Sequence, residues 1–239
     1  NALIDLDLVL RTDHSISEIP DLLNRTILLG GKRLRPALCF LMGQALGVDA
    51  KTMAPFARAA EFTHAASLAH DDVVDNASTR RNVRTINAES SNKRAVLAGD
   101  LLLARVMVEL SQQGNIDIIQ DLALVVEDLV NGEWLQMGIR GRVDVKQSEL
   151  IEVSLRKTAS LMSWCCLVAA RKAKSDSADL RSLASDFGKN LGIAFQMVDD
   201  VIDFNQDGEK DFAKDLKEGI VNYVACDLLA RNPQWKSAV

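Results

Sequence analysis

Two short acidic runs constrain this chain more than anything else in it: DDVVD at Asp71, Asp72 and Asp75, and DDVID at Asp199, Asp200 and Asp203. Each lies inside an apolar stretch, SLAHDDVVD and IAFQMVDDVIDF, that reads as helix. Helix interiors are a poor home for clustered carboxylates. On a helix, positions i and i+4 share a face, about 6 Å apart along the axis. Asp71 and Asp75 therefore point the same way, and Asp199 and Asp203 repeat the geometry. Two unit charges about 4 Å apart repel by roughly 4 kcal/mol at an effective dielectric of 20. Half-buried pairs of this kind call for cations, and all-oxygen donors suit hard metals such as Mg²⁺. One such run alone reads most simply as a solvated face. Two, each with apolar flanks, point to a shared metal site.

The rest of the chain must then supply helices. Apolar residues recur with helical spacing over 3–11, 16–29, 34–47, 51–76, 94–112, 115–138, 147–173, 177–205 and 219–231. Breaks fall at Gly30–Gly31, Asn76–Asn92, Gln112–Asn115, Gly138–Val145, Lys174–Ser177 and Asn205–Gly208. No convincing alternating strand is visible, and no linker divides the 239 residues. With 48% hydrophobic residues and only 4 Pro and 13 Gly, the pattern predicts one large all-α domain over 1–239, with buried central helices.

A net charge of −5 argues against broad nucleic-acid binding. The basic residues are nevertheless clustered, in GKRLRP (Lys32, Arg33, Arg35) and TRRNVR (Arg80, Arg81, Arg84), which suits a small anion. Cys39, Cys165, Cys166 and Cys226 form no CxxC and no disulfide framework, so a reducing, cytoplasmic setting is expected. No secretory leader or apolar run of about 18 residues is seen. The chain starts at Asn1 without Met, and its true N-terminus is expected upstream.

Around the acidic runs, Glu61, His64, Leu68, Asp71 and Asp75 follow one helix face. A lone histidine there would read as core; its alignment with Asp71 favours a site. Gln196 precedes Asp199, Asp200 and Asp203 in the same way, and Lys157–Thr158 open an apolar tail. Metal-binding carboxylates with several phosphate-gripping cations can hold a diphosphate leaving group while a carbon–oxygen bond breaks. There is no GxxxxGK[ST] and no GxSxG.

GGKRLRP, HAASLAHDDVVD, the RR pair, AVLAGDLLLAR, VVEDLVNGEWLQM, RKTASL and FGKNLGIAFQMVDDVIDF occur in an order that resembles the trans-isoprenyl diphosphate synthase family over most of the chain. The resemblance implies a large single-domain helical bundle of the isoprenoid synthase type with a central cavity. It implies head-to-tail condensation of isopentenyl diphosphate with an allylic diphosphate. Mg²⁺ would be ligated by Asp71 and Asp75, with Asp72 supporting, and by Asp199, with Asp200 and Asp203 acting mostly through metal-bound water. The allylic diphosphate would meet Arg80, Lys157 and Lys210. Isopentenyl diphosphate would meet Lys32, Arg35, His64 and Arg81. The oxygens of Thr158 and Gln196 would face the carbocation, and the released diphosphate would take the proton.

The chain departs from the family pattern at Asn82 and Arg84, where the family usually has Gly and then Pro. It departs again at Ile220, Asn222 and Val224, where Lys, Thr and Pro are usual. Family members continue for several helices past Val239, so the C-terminal part is expected to be missing.

Small residues upstream of the first motif (Ser67, Ala66, Thr63, Ala60, Ala59) read as a shaft for the growing chain. Its first bulky floor would be Phe56, about 22 Å from Asp71 along the axis. Close helix packing is the plainer reading of the same residues. The shaft favours a medium- or long-chain all-trans product over a farnesyl- or geranylgeranyl-length one. A terpene cyclase fits less well, because it needs no GKRLRP site. A di-iron bundle would need a second Glu-x-x-His besides Glu61–His64. For an HD-type phosphohydrolase, hinted at by His70–Asp71, the remaining histidines are poorly placed. A subunit of a heteromeric synthase would generally lose acidic residues. Family resemblance implies a homodimer through 94–112 and 115–138, and a hydrophobic product implies transient membrane contact.

Overall fold

In the computed structural model, the described residues are 8, 18–204, 214–217 and 219–237. Helix α3, Ala50–Val74, is the longest buried element near the chain start, and its sequence explains why. The Asp49 side chain caps it, accepting the Thr52 N–H at 2.9 Å. Pro55, the sixth residue, lies inside the helix and cannot donate to the Lys51 carbonyl one turn back. Met53, Phe56, Ala57, Ala59, Ala60, Ala65, Ala66 and Ala69 are buried, so alanine-rich faces allow neighbours to approach from several sides. Truncating a buried Phe such as Phe56 typically costs about 3–5 kcal/mol.

The chain gathers into two compact units. The first holds residues up to Leu122 together with Cys165–Arg181. It contains α1 (Glu18–Arg25), α2 (Leu34–Ala45), α3, a strand pair β1 (Thr79–Arg80) and β2 (Val83–Arg84), α4 (Ile86–Glu89) and α5 (Asn92–Ser111). Helix α3 packs on α2 and α5. On α5, Ala95, Ala98, Leu102, Val106 and Leu110 form the buried stripe. Arg58 of α3 reaches Glu109 of α5, Nε to Oε1 2.7 Å. Cys165, Cys166, Val168, Ala169 and Ala170 add a fully enclosed segment.

The second unit holds Ala123–Trp164 and the residues from Ser182 on. The boundaries fall within α6 (Ile116–Ile139), α8 (Ser160–Lys172) and α9 (Ala178–Asp203). This unit also contains α7 (Gln147–Ser154), α10 (Lys214–Lys217), α11 (Tyr223–Arg231) and a 3₁₀ turn, Pro233–Ser237. A π-turn at Leu155–Ala159 joins α7 to α8, and the Ser160 N–H bonds back to the Leu155 carbonyl. Gly188 and Gly192 let α9 lie directly on this segment. A Cβ at Gly192 would come 2.7 Å from the Ala159 Cβ and closer still to its Cα. A Cβ at Gly188 would meet the Met162 carbonyl and the Ser163 Cα at 2.6 Å each. A further core joins Val145, Leu150, Val221, Ala225, Cys226 and Leu229.

The helices expected from residue 16 onward are present with ends shifted by a few residues, the one expected over 3–11 lies, but for Leu8, outside the described residues, and two features differ. The span 147–173 is broken by the π-turn, which adds a residue without disturbing the apolar pattern. The loop 76–92 holds an antiparallel hairpin, pairing Thr79 with Arg84 and Arg80 with Val83. Its turn residues, Arg81 and Asn82, have φ of 51° and 62°. That is the left-handed geometry of a type I′ turn, which Asn tolerates in place of Gly.

Candidate active site

In the first unit, the register of α3 separates the three aspartates of DDVVD. Asp71 is half-buried and Asp75, at the helix C-cap, is exposed. Asp72 points inward, 2% exposed, and its Oδ1 accepts Arg80 Nε at 2.9 Å and Nη2 at 2.7 Å. Asn87 of α4 bonds the Asp72 and Ala77 carbonyls at 3.1 and 3.0 Å, fastening the loop that carries Arg80.

A cationic cluster lies along the same helix. The imidazole of His64 is pushed well below its ordinary value of 6.5, first by burial and then by Arg35, Arg81, Arg80 and Arg33. Burial also lowers Arg35, whose Nε is enclosed without a partner among the described residues. Arg81 lies against Gly31; there φ is +89° and a Cβ would come 2.5 Å from Nη1, so only glycine serves. Lys32 is exposed in the same loop. Arg33 plays a different part. Its φ is 50°, it stands at the residue just before α2, and its guanidinium engages Glu61 and the Leu28 carbonyl. Glu61, 5% exposed, ties this loop to α3.

Because His64 is depressed, the folded protein refuses a proton that the unfolded chain accepts below pH 6.5. The contribution of this group to stability is complete above that pH and is lost as pH falls. Replacing His64 by Gln should flatten the fall in Tm as the pH drops below 6.5. A slope unchanged from wild type in a thermal-melt series would contradict this role for His64.

In the second unit, the π-turn presents Arg156, Lys157 and Thr158 to separate partners. Arg156 bonds Asp128 at 2.6 Å and Glu152 at 2.7 Å. Lys157 engages Glu133 and, at 2.6 Å, Gln136 Oε1. Thr158 Oγ1 donates to Gln196 Oε1 at 3.0 Å, and Gln196 Nε2 donates to Asp200 Oδ1 at 2.9 Å. Asp200 is buried, and its other oxygen accepts the Tyr223 N–H at 2.9 Å. Asp203, 5% exposed, accepts the Asp215 N–H at 3.3 Å. Burial raises the Asp200 and Asp215 carboxyls, and the neighbouring aspartates, Asp199 and Asp203 among them, raise them further. Asp199 is half-buried.

The donors on both motifs are carboxylate oxygens, and in the second they crowd one another. That is the chemistry a hard divalent cation satisfies. Among the described residues, no three His, Cys, Asp or Glu side chains are grouped to hold a metal. The inward turn of Asp72, Asp200 and Asp203 accounts for part of this.

Lys210 lies outside the described residues. Of the chain-length residues, Thr63 and Ala66 are 1% and 0% exposed, and Ala59 and Ala60 are likewise closed over. All four are enclosed by the packing around α3. Ser67, half-buried and bonded to the His64 carbonyl at 2.9 Å, is the member that reaches a surface.

Residues 17–239 match the polyprenyl synthetase family model. The chain belongs to the polyprenyl synthetase family. The all-trans-polyprenyl-diphosphate synthase PDSS1 of Mus musculus is 40% identical over 200 residues, covering 80% of this chain and 49% of that protein. The octaprenyl diphosphate synthase of Escherichia coli K12 is 34% identical over 193 residues, covering 80% of this chain and 59% of its own. The chain thus spans roughly half the length of such relatives.

A decaprenyl diphosphate synthase from Rhodobacter capsulatus superposes with a TM-score of 0.89 at 29% identity, covering 99% of this chain and 74% of that one. A Caulobacter crescentus polyprenyl synthase, complexed with calcium and isoprenyl diphosphate, gives 0.87 at 30% identity, covering 98% and 71%. The all-α isoprenoid synthase fold expected from the sequence is the fold of this chain.

The sequence placed Arg33 only within a basic run and gave no role to Asn87, Glu133 or Asp215. Each works through a partner far along the chain or through a backbone carbonyl. Arg33, in the basic run GKRLRP, and Glu133, in NGEWLQM, offered signals.

Proposed function

We propose that the protein is a Mg²⁺-dependent prenyltransferase. It condenses isopentenyl diphosphate with an allylic diphosphate into an all-trans polyprenyl diphosphate of medium or long chain. One observation carries this reading: the charges of Arg35, Arg81, Arg80 and Arg33 all bear on the buried imidazole of His64, on the same helix that ends in DDVVD. The enclosed, unpartnered Arg35 Nε is a donor that an arriving anion would satisfy. Names of the relatives, which include all-trans-polyprenyl and octaprenyl diphosphate synthases, support the same reaction and chain class.

The chain's own residues suit the steps. Lys32, Arg35, His64 and Arg81 would bind isopentenyl diphosphate. Arg80, held in place by Asp72, and Lys157 would bind the allylic diphosphate, with Lys210 as a further candidate. Asp71, Asp75 and Asp199 would hold Mg²⁺, and Asp203 would act at one remove. When bound, Mg²⁺ neutralises charge on the leaving diphosphate.

The Thr158 hydrogen is committed to Gln196, so its oxygen lone pairs remain to face a developing positive charge. Asp200 fixes the Gln196 amide by taking its N–H. The allylic carbon–oxygen bond breaks, and the isopentenyl double bond supplies the electron pair for the new carbon–carbon bond. The shed proton goes to the released diphosphate.

We also read the protein as a cytoplasmic homodimer that binds no nucleic acid and touches membranes only through its product. On α5, Leu97 and Val108 are 55% and 54% exposed; on α6, Val130 and Trp134 are 53% and 70%. These apolar faces support self-association, which sedimentation would test. Among the described residues no helix is long and apolar enough to cross a membrane.

The assay for the reaction is purified protein with Mg²⁺, labelled isopentenyl diphosphate and a series of allylic primers. Label should move into extractable long-chain product. Turnover with isopentenyl diphosphate omitted would indicate a cyclase instead. No turnover until a second polypeptide is added would indicate a subunit of a heteromeric synthase. A product of farnesyl or geranylgeranyl length would indicate a short-chain enzyme. Ser67→Phe should shorten the product; Ala66→Phe would overpack a closed site at a cost of about 1–3 kcal/mol and is the poorer test. Unchanged product length in Ser67→Phe would remove Ser67 from chain-length control.

A further inference from the structure

Lys157 does not wait in solvent for an anion. The π-turn aims it at α6, where Glu133 and Gln136 are successive occupants of one helix face. Glu133 binds its ammonium as an ion pair, and Gln136 Oε1 lies 2.6 Å from the same nitrogen. Gly132 makes room: a Cβ there would come 2.7 Å from Lys157 Cγ, 2.9 Å from Arg156 Cβ and 3.1 Å from the Lys157 backbone nitrogen. Both side chains of the ion pair are largely shielded, at 24% exposure for Lys157 and 17% for Glu133. The pair is therefore a built contact between α6 and the π-turn.

A lysine ammonium has three donors and no acceptor. Two of them are taken here, and a resident carboxylate opposes the positive charge that a phosphate oxygen would meet. We propose that Glu133 is a positioning residue that competes with diphosphate for Lys157, so that diphosphate released at each condensation is given up quickly. The inference rests on the reading of Lys157 as an allylic-diphosphate ligand. Chain elongation repeats one condensation many times, and each round must clear its diphosphate. A lysine that exchanges a phosphate oxygen for a nearby carboxylate keeps its charge paired in both states.

Glu133→Gln keeps the size and an acceptor oxygen but removes the charge. With Mg²⁺ present, inorganic diphosphate should bind this variant about five- to tenfold more tightly than wild type, measured by calorimetry and as inhibition competitive with the allylic substrate. The KM for isopentenyl diphosphate should stay near wild type. Lys157→Met should weaken diphosphate binding, and in that background Glu133→Gln should change nothing further. A helix merely loosened by the substitution would not gain affinity.

Diphosphate affinity that is unchanged or weaker in Glu133→Gln, with circular dichroism intact, overturns the proposal. So does tightening that persists without Lys157. If wild-type protein neither binds diphosphate nor incorporates isopentenyl diphosphate, the prenyltransferase reading itself fails and takes this inference with it.

Discussion

Asp71→Asn should leave the protein folded and reduce prenyl transfer by about 10²–10³-fold, the usual cost of removing one electrostatic contact to a leaving group. Asp71 is half-buried and shares its face with the exposed Asp75, so an amide of the same size can take its place within reach of solvent. Asp72→Asn should behave differently, although the two residues are adjacent. Asp72 holds Arg80 through both guanidinium edges from a site 2% exposed to solvent. Weakening that pair should cost about 1–3 kcal/mol of stability and raise the KM for the allylic substrate. Thermal melts beside steady-state kinetics separate the two outcomes. Equal loss of Tm in both variants would show that Asp71 is as structural as Asp72.

Gly192→Ala reverses what helix propensity predicts. In a free helix the change should stabilise by about 0.5–1 kcal/mol. Here the added methyl would meet the Ala159 Cα and Cβ, which sit on the π-turn and cannot rotate aside. Overpacking of this kind costs about 1–3 kcal/mol, and a backbone neighbour puts Gly192 at the upper end. For a chain of this size, Tm should fall by roughly 5–10 °C. The Thr158–Gln196 hydrogen bond lies one turn along the same contact, so kcat should fall with it. Gly138→Ala is the matched control, because nothing lies within 4 Å of its added Cβ. Differential scanning calorimetry of the two variants decides the matter; a more stable Gly192→Ala would sink the close packing inferred for α9.

The helical class was legible because apolar spacing repeats over long runs, and such periodicity survives errors at the ends. The hairpin at 79–84 was not legible, since two-residue strands are too short to alternate. The π-turn escaped for the opposite reason: an extra residue inside a uniformly apolar helix leaves no mark in the pattern. The basic runs and both acidic motifs stood out by composition alone. Composition does not tell Arg33 from Arg35, or Asp72 from Asp71. Arg33 is set apart by a left-handed backbone and by Glu61, while Asp72 is set apart by which side of α3 meets the hairpin. The small residues below the first motif fit two readings in the sequence. Ala59, Ala60 and Ala66 are buried and Ser67 is half-buried, a difference the sequence does not show.

Arg80 and Arg81 are neighbours in sequence, yet one belongs to a strand and reaches Asp72 while the other forms the tip of the turn against Gly31. If they serve the allylic and isopentenyl diphosphates respectively, the two ligands are gauged from a single peptide unit, about 3.8 Å between Cα atoms. Helices can slide past one another, but a peptide bond does not stretch. The hairpin would then act as a caliper with one fixed jaw for each substrate, and any change at Asn82 that opened the turn would misplace both together.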